Sequence, residues 1–359
     1  MFARAGKASA AMRRIVLCVA LALGAGPAWA GLPSEQDDCM GCHGSDPTMA
    51  MDLPSGEKLG IYVDAAVFAK SVHGEILRCT DCHTEKKEYP HDSKPFASKR
   101  DLAVAYYDGC KSCHFANYTK TLDGVHYAVM AKGNKQAALC VDCHGAHDIQ
   151  RSSEPRTRIS HTCANCHAGV FKVYAASVHG RDAEAGNVDV PVCTDCHRAH
   201  DIVDPRGGAL SLRTPEICGR CHTNQKLMSK YKLSTRVVDT YLKDFHGMSA
   251  TLQRRSGAKG DRKSFAAVCT DCHGVHDIQK SSDPASHTIQ ANLVQTCRKC
   301  HPDATKEFPK AWLSHYEPTP QKATVVWMVQ MFYKVLIPFM VGGLVLQIAL
   351  HLWRVVVNR

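Results

Sequence analysis

The sequence predicts a mainly α-helical fold with extensive irregular loops and one C-terminal membrane helix. Three observations carry this. Eighteen of the 19 cysteines fall in nine Cys-x-x-Cys pairs, each followed directly by histidine; further histidines recur in step with these pentads; and a long uncharged apolar run lies near the C-terminus. Cysteine use this heavy excludes an ordinary cytosolic domain, and 359 residues is too long for a small secreted disulfide scaffold. Aromatics make up only 7% of the chain, so a conventional aromatic-rich core is not expected.

Residues 1–30 carry a basic stretch ending at Arg13-Arg14, an apolar run from Ile15 to Ala25, and the small-residue site Ala28-Trp29-Ala30. This is the pattern of a secretory signal peptide. Cys18 lies inside the apolar run after the bulky Leu17 and leaves with the peptide, so the paired cysteines remain. Removal also takes Arg4, Lys7, Arg13 and Arg14, which lowers the formal charge from +10 to +6.

The pentads are Cys39, Cys42 and His43; Cys79, Cys82 and His83; Cys110, Cys113 and His114; Cys140, Cys143 and His144; Cys163, Cys166 and His167; Cys193, Cys196 and His197; Cys218, Cys221 and His222; Cys269, Cys272 and His273; Cys297, Cys300 and His301. Histidine after all nine pairs by chance has odds on the order of one in 10¹¹, and zinc ribbons do not require it. Two thiols at this spacing can add to the two vinyl groups of one haem, and the next residue then reaches the iron as its proximal ligand. Nine covalently attached c-type haems are therefore expected. Their propionates would bring the charge to about −12, so the basic composition is internal balance and nucleic acid is not an expected partner.

After the odd-numbered pentads a histidine recurs in a short apolar-His-small context: His73, His126, His179, His246 and, more loosely, His315. After the even ones it comes almost at once, at His147, His200 and His276 in His-Asp-Ile runs, or is delayed to His91. The repeat is thus two haems long, near residues 39–91, 110–148, 163–201 and 218–277, with a half repeat at 297–315. Nine extra histidines for nine irons predict bis-histidine ligation throughout. Met49 and Met51 stay open as alternatives at the first haem. His161, His287 and His351 are left over.

Two trans imidazoles put their Cα atoms about 12 Å apart, whereas three residues reach about 10 to 11 Å. His147 therefore cannot complete the haem of His144, and by the same argument His200 and His276 serve neighbouring haems. About 37 residues per haem are too few for a separate core around each, so short helices and ordered loops should wrap a haem chain whose attachment is part of folding. Residues 31–318 form this haem domain and 319–359 the anchor.

Val335 to Trp353 is free of charge, and Val325 to Val329 extends the apolar run. About 20 such residues span a bilayer core as a helix. Arg354 and Arg359 beyond it place the C-terminus in the cytoplasm by the positive-inside tendency.

With these motifs, residues 39–315 resemble the multihaem c-type cytochromes of bacterial respiration; the Ser-Val-His-Gly, Cys-Thr-Asp-Cys-His and Cys-His-Gly-Ala-His-Asp-Ile segments are similar to those of periplasmic multihaem carriers. The resemblance implies haem attachment outside the bacterial inner membrane and a single-pass protein with its haem domain in the periplasm. It implies electron transfer between membrane quinol, or a quinol-linked partner such as a separate integral-membrane b-type cytochrome, and periplasmic acceptors, with no catalytic residues. The haem of His301 would then lie nearest the membrane. The alternative is a multihaem oxidoreductase acting on nitrite, hydroxylamine or sulfur oxyanions. That chemistry needs an open iron position; the nitrite reductases it would resemble use Lys for the pentad His, and no pentad here ends in Lys.

Overall fold

Why the chain forms these helices is visible first in the pentads, which are of two kinds. Each even-numbered pentad carries Asp at its third position and folds as a single helical turn of its own: Cys79–Cys82, Cys140–His144, Cys193–His197 and Cys269–His273. The carboxylates of Asp81, Asp142, Asp195 and Asp271 reach back to accept the N–H of the residue before the first cysteine, at 2.7, 2.7, 2.6 and 2.7 Å. This is one arm of a capping box, and it satisfies a donor that a one-turn helix cannot satisfy internally. The odd-numbered pentads lack this Asp and lie in or at the end of other helices, as in Ser34–His43, Arg158–Ala175, Thr214–His222 and Gln290–Arg298.

The computed structural model describes residues 34–86, 88, 90–91, 96–152, 154–256, 266–311, 315, 317–321 and 323–358. The signal-peptide segment 1–30 lies outside them, as do residues 257–265. Two compact units are formed, one from residues up to 114 together with 139–151, the other from 115–138 and 152 onward. The first contains an antiparallel hairpin, Ala50–Asp52 with Lys58–Gly60, in which Met51 faces Leu59. Gly56 turns it at φ +82°. The mainly helical expectation gave no hint of this hairpin, which is only three residues a side. Asp64 caps the helix Ala65–Ala69 by accepting the N–H groups of Ala66 and Val67 at 2.8 and 3.0 Å.

In the second unit the helix Arg158–Ala175 is broken at His167, whose φ/ψ of −105°/40° is non-helical. Its buried residues Leu212, Ala250, Ala266 and Val268 form an apolar cluster. Among the described residues, prolines apart, only thirteen apolar side chains are buried, five of them alanines, and the largest fully buried side chains of any kind are Ser160 and Ser177. Side chains this few and small do not fill a protein interior at ordinary packing density, which fits a fold completed by large cofactors.

The last helix runs Thr324–Val357, 34 residues with a mean hydropathy of 2.1 in its most apolar window, and is long and apolar enough to cross a membrane. It starts at Thr324, one residue before the extension read from sequence, and carries Pro338 inside it.

Candidate metal centres

The proximal and extra histidines come together in pairs. In the first unit His43 faces His91, His73 faces His114 and His83 faces His147, with ring centres 6.0, 6.0 and 6.1 Å apart. In the second, His126 faces His167, His179 faces His222, His197 faces His276, His246 faces His301 and His273 faces His315, at 6.2, 6.4, 5.9, 6.4 and 6.0 Å. Two imidazoles bound to opposite faces of one iron have their centres about 6 Å apart, from two metal–nitrogen bonds of about 2 Å and the two ring radii. The eight spacings fit that requirement. The other two members of the set, His144 and His200, fall one in each unit, His144 closing the helix Cys140–His144.

The pairing follows a rule that the sequence left open. The first extra histidine of a repeat faces the histidine of the first pentad in the next repeat: His73 with His114, His126 with His167, His179 with His222, His246 with His301. The second extra histidine reaches backward instead, His147 to His83 and His276 to His197. The two ends close on themselves. His91 has no earlier repeat to serve and faces His43, so neither Met49 nor Met51 is needed there; Met51 instead sits opposite Leu59 in the hairpin. His315 belongs by context to the half repeat yet faces His273.

The electrostatics suit neutral imidazoles, the form that binds a metal. Burial pushes His179 and His273 down to about 4, and the neighbouring rings of His222 and His315 add to it. Burial likewise lowers His83, His126, His147, His197 and His276. His43 Nδ1 lies 2.7 Å from the Ile61 carbonyl, which can only accept, so Nδ1 carries the hydrogen and Nε2 is left for a metal. The leftover histidines are placed differently: His161 meets Glu184 at 3.1 Å and His287 meets Asp277 at 2.7 Å.

None of the described cysteines is joined in a disulfide, and none is fully buried. Within three repeats the leading thiols of the two pentads lie beside one another, Cys110 with Cys140, Cys163 with Cys193 and Cys218 with Cys269. Both haems of such a repeat would thus be attached side by side. The sequence reading missed this contact, which no local motif announces. It also missed the capping Asp, whose signal was present in all four even-numbered pentads.

After three of the four even-numbered pentads the next residue turns the chain through positive φ, at Gly145 (+78°), Arg198 (+68°) and Gly274 (+87°); Thr84, after the other, does not. A Cβ on Gly274 would lie 2.2 Å from Asp277 Oδ1 and 3.2 Å from His287. Arg198 is accommodated at the equivalent position, where its guanidinium pairs with Asp201. Gly274→Ala is expected to cost about 1–3 kcal/mol, because φ/ψ of 87°/174° is a region essentially reserved for glycine, read as a lower thermal midpoint; an unchanged midpoint would show that the turn relaxes freely.

Residues 132–223 match the family model described as Cytochrome c3. No curated protein and no solved structure matches the chain. The matched segment holds four pentads, and the match supports a multihaem c-type cytochrome carrying covalently bound haem.

Proposed function

We propose that the chain is a membrane-anchored periplasmic nonahaem cytochrome c, an electron carrier and not an enzyme. Electrons would pass between the membrane quinol pool, directly or through a separate integral-membrane b-type cytochrome, and periplasmic acceptors. The observation that carries this reading is the pairing of eight proximal histidines with eight extra ones at the spacing of a doubly ligated iron. Each haem supplies a one-electron couple at iron. The paired histidines would hold each haem from both sides, which would keep substrates off the metal and favour transfer over catalysis.

Low histidine pKa values keep the rings available as ligands at neutral pH. Thiols placed beside one another within a repeat hold neighbouring cofactors close, and cross-repeat histidines tie successive repeats together. Supporting the membrane site of action is the apolar helix Thr324–Val357; supporting electron transfer is the Cytochrome c3 match.

After removal of residues 1–30 the intact mass is expected to equal the peptide plus nine haems, with every iron low-spin. A fully matured protein with seven haems or fewer would mean that some pentads are not haem sites. A high-spin haem that binds small ligands in the unmutated protein would favour the reductase or oxidase reading.

A further inference from the structure

One backbone hydrogen bond recurs between consecutive repeats. The N–H of Val72 donates to the Ile149 carbonyl at 2.9 Å, that of Val125 to Ile202 at 2.8 Å and that of Val178 to Ile278 at 2.8 Å. In every case the valine immediately precedes the first extra histidine of one repeat, and the isoleucine closes the His-Asp-Ile run of the next. A single bond thus joins the backbones that carry His73 and His147, His126 and His200, and His179 and His276.

The fit at this joint is close. A Cβ on Gly124 would lie 2.8 Å from the His200 carbonyl. At the third joint Gln279 Nε2 donates to the Ala176 carbonyl at 3.0 Å, and Arg181 donates to Gln279 Oε1 at 2.8 Å. Val178 and Val125 open the helices Val178–Glu184 and Val125–Ala131, where the first N–H has no partner within the helix. The fourth repeat shows what happens without a following His-Asp-Ile run: Phe245, the equivalent residue, donates to its neighbour Asp244 Oδ1 at 2.6 Å.

We infer that this bond is a clip that positions two extra histidines as one unit, so that the irons they serve, in adjacent repeats, are set together. The inference rests on reading these histidines as haem ligands. Through Val178 and Ile278 the clip governs the irons of His222, faced by His179, and of His197, faced by His276. Through Val72 and Ile149 it governs those of His114 and His83. The clip residues are positioning residues; they touch no cofactor.

Val178→Pro tests it with little disturbance. Proline is favoured at the first position of a helix, where its missing N–H is normally unused, and Ser177 before it has φ/ψ of −78°/170°, which proline accepts. Val178→Ala keeps the N–H and serves as control. In a redox titration of the haem-loaded protein followed by electron paramagnetic resonance, Val178→Pro is expected to shift two haems only. Those two are the ones whose signals vanish in His179→Ala and in His276→Ala. Val178→Ala should shift neither.

A shift in neither haem, in one alone, in all of them, or equally in the alanine control would overturn the clip. Absence of bis-histidine signals in the unmutated protein would overturn the ligand reading instead. Should Val178→Pro not mature, amide exchange in the unmutated haem protein decides: the Val125 and Val178 amides should exchange at least about 100-fold more slowly than unstructured amides. Exchange at the unstructured rate would sink the proposal.

Discussion

Replacing His276 with alanine is expected to turn one iron high-spin, and that iron is the one bound by His197, not the one bound by His273 three residues away. Two independent arguments agree. Three residues of chain span about 10 to 11 Å at most, short of the roughly 12 Å between Cα atoms of trans imidazoles. The His276 ring stands 5.9 Å from that of His197, while His273 already faces His315 at 6.0 Å. About one ninth of the low-spin intensity should therefore convert, the loss of one axial ligand out of nine proposed sets. His287→Ala should leave the spin state untouched, because His287 spends its Nε2 on Asp277. If the haem of His273 changed instead, or if His287→Ala produced the high-spin signal, the pairing rule would be wrong.

The chemistry of the site was legible because it is written locally. Five consecutive residues suffice to announce a haem attachment site, and the extra histidines stand out by repeating in the same short contexts. Legible too was the last helix, since apolar length alone marks it. Pairing was legible only so far as chain length forbids an alternative: His147 and His276 were barred from the haem of their own pentad, and each faces a histidine of the repeat before. His73 could have served a haem on either side of it by reach alone; that it faces His114 is a fact of the tertiary structure, where Val72 beside it donates to the Ile149 carbonyl. His315 shows the limit from the other direction. Its context is that of a first extra histidine, which elsewhere serves a later repeat, but no complete repeat follows and it faces His273. The hairpin at Ala50–Gly60 escaped notice because three residues a side are too few to show an alternating pattern.

Ending the chain after Glu317 is expected to give a soluble protein with its full complement of haems that soluble donors still reduce, while its reduction by quinol in membranes falls by about 100-fold, the scale of effective concentration lost with a tether. The cut spares two contacts near the end of the haem domain. His315 remains to face His273, and Glu317 remains to accept from Arg236 at 2.5 Å. Only the stretch leading to Thr324 and the helix Thr324–Val357 are lost, and no described side chain of that helix is buried. No pentad lies within that helix, so it carries no haem across the bilayer; its proposed use is to hold the haem chain at the surface where quinol is oxidised. The sequence reading put the haem of His301 nearest the membrane. His315 lies nine positions before the helix, which brings the iron of His273 to this end of the chain as well. Both irons should then lose fast reduction together in the truncated protein, whereas the haem of His43 should keep its potential. Reduction by membrane quinol as fast as that of the intact chain would make the helix a tether without mechanistic consequence and remove the reason to place quinol-linked exchange at this end.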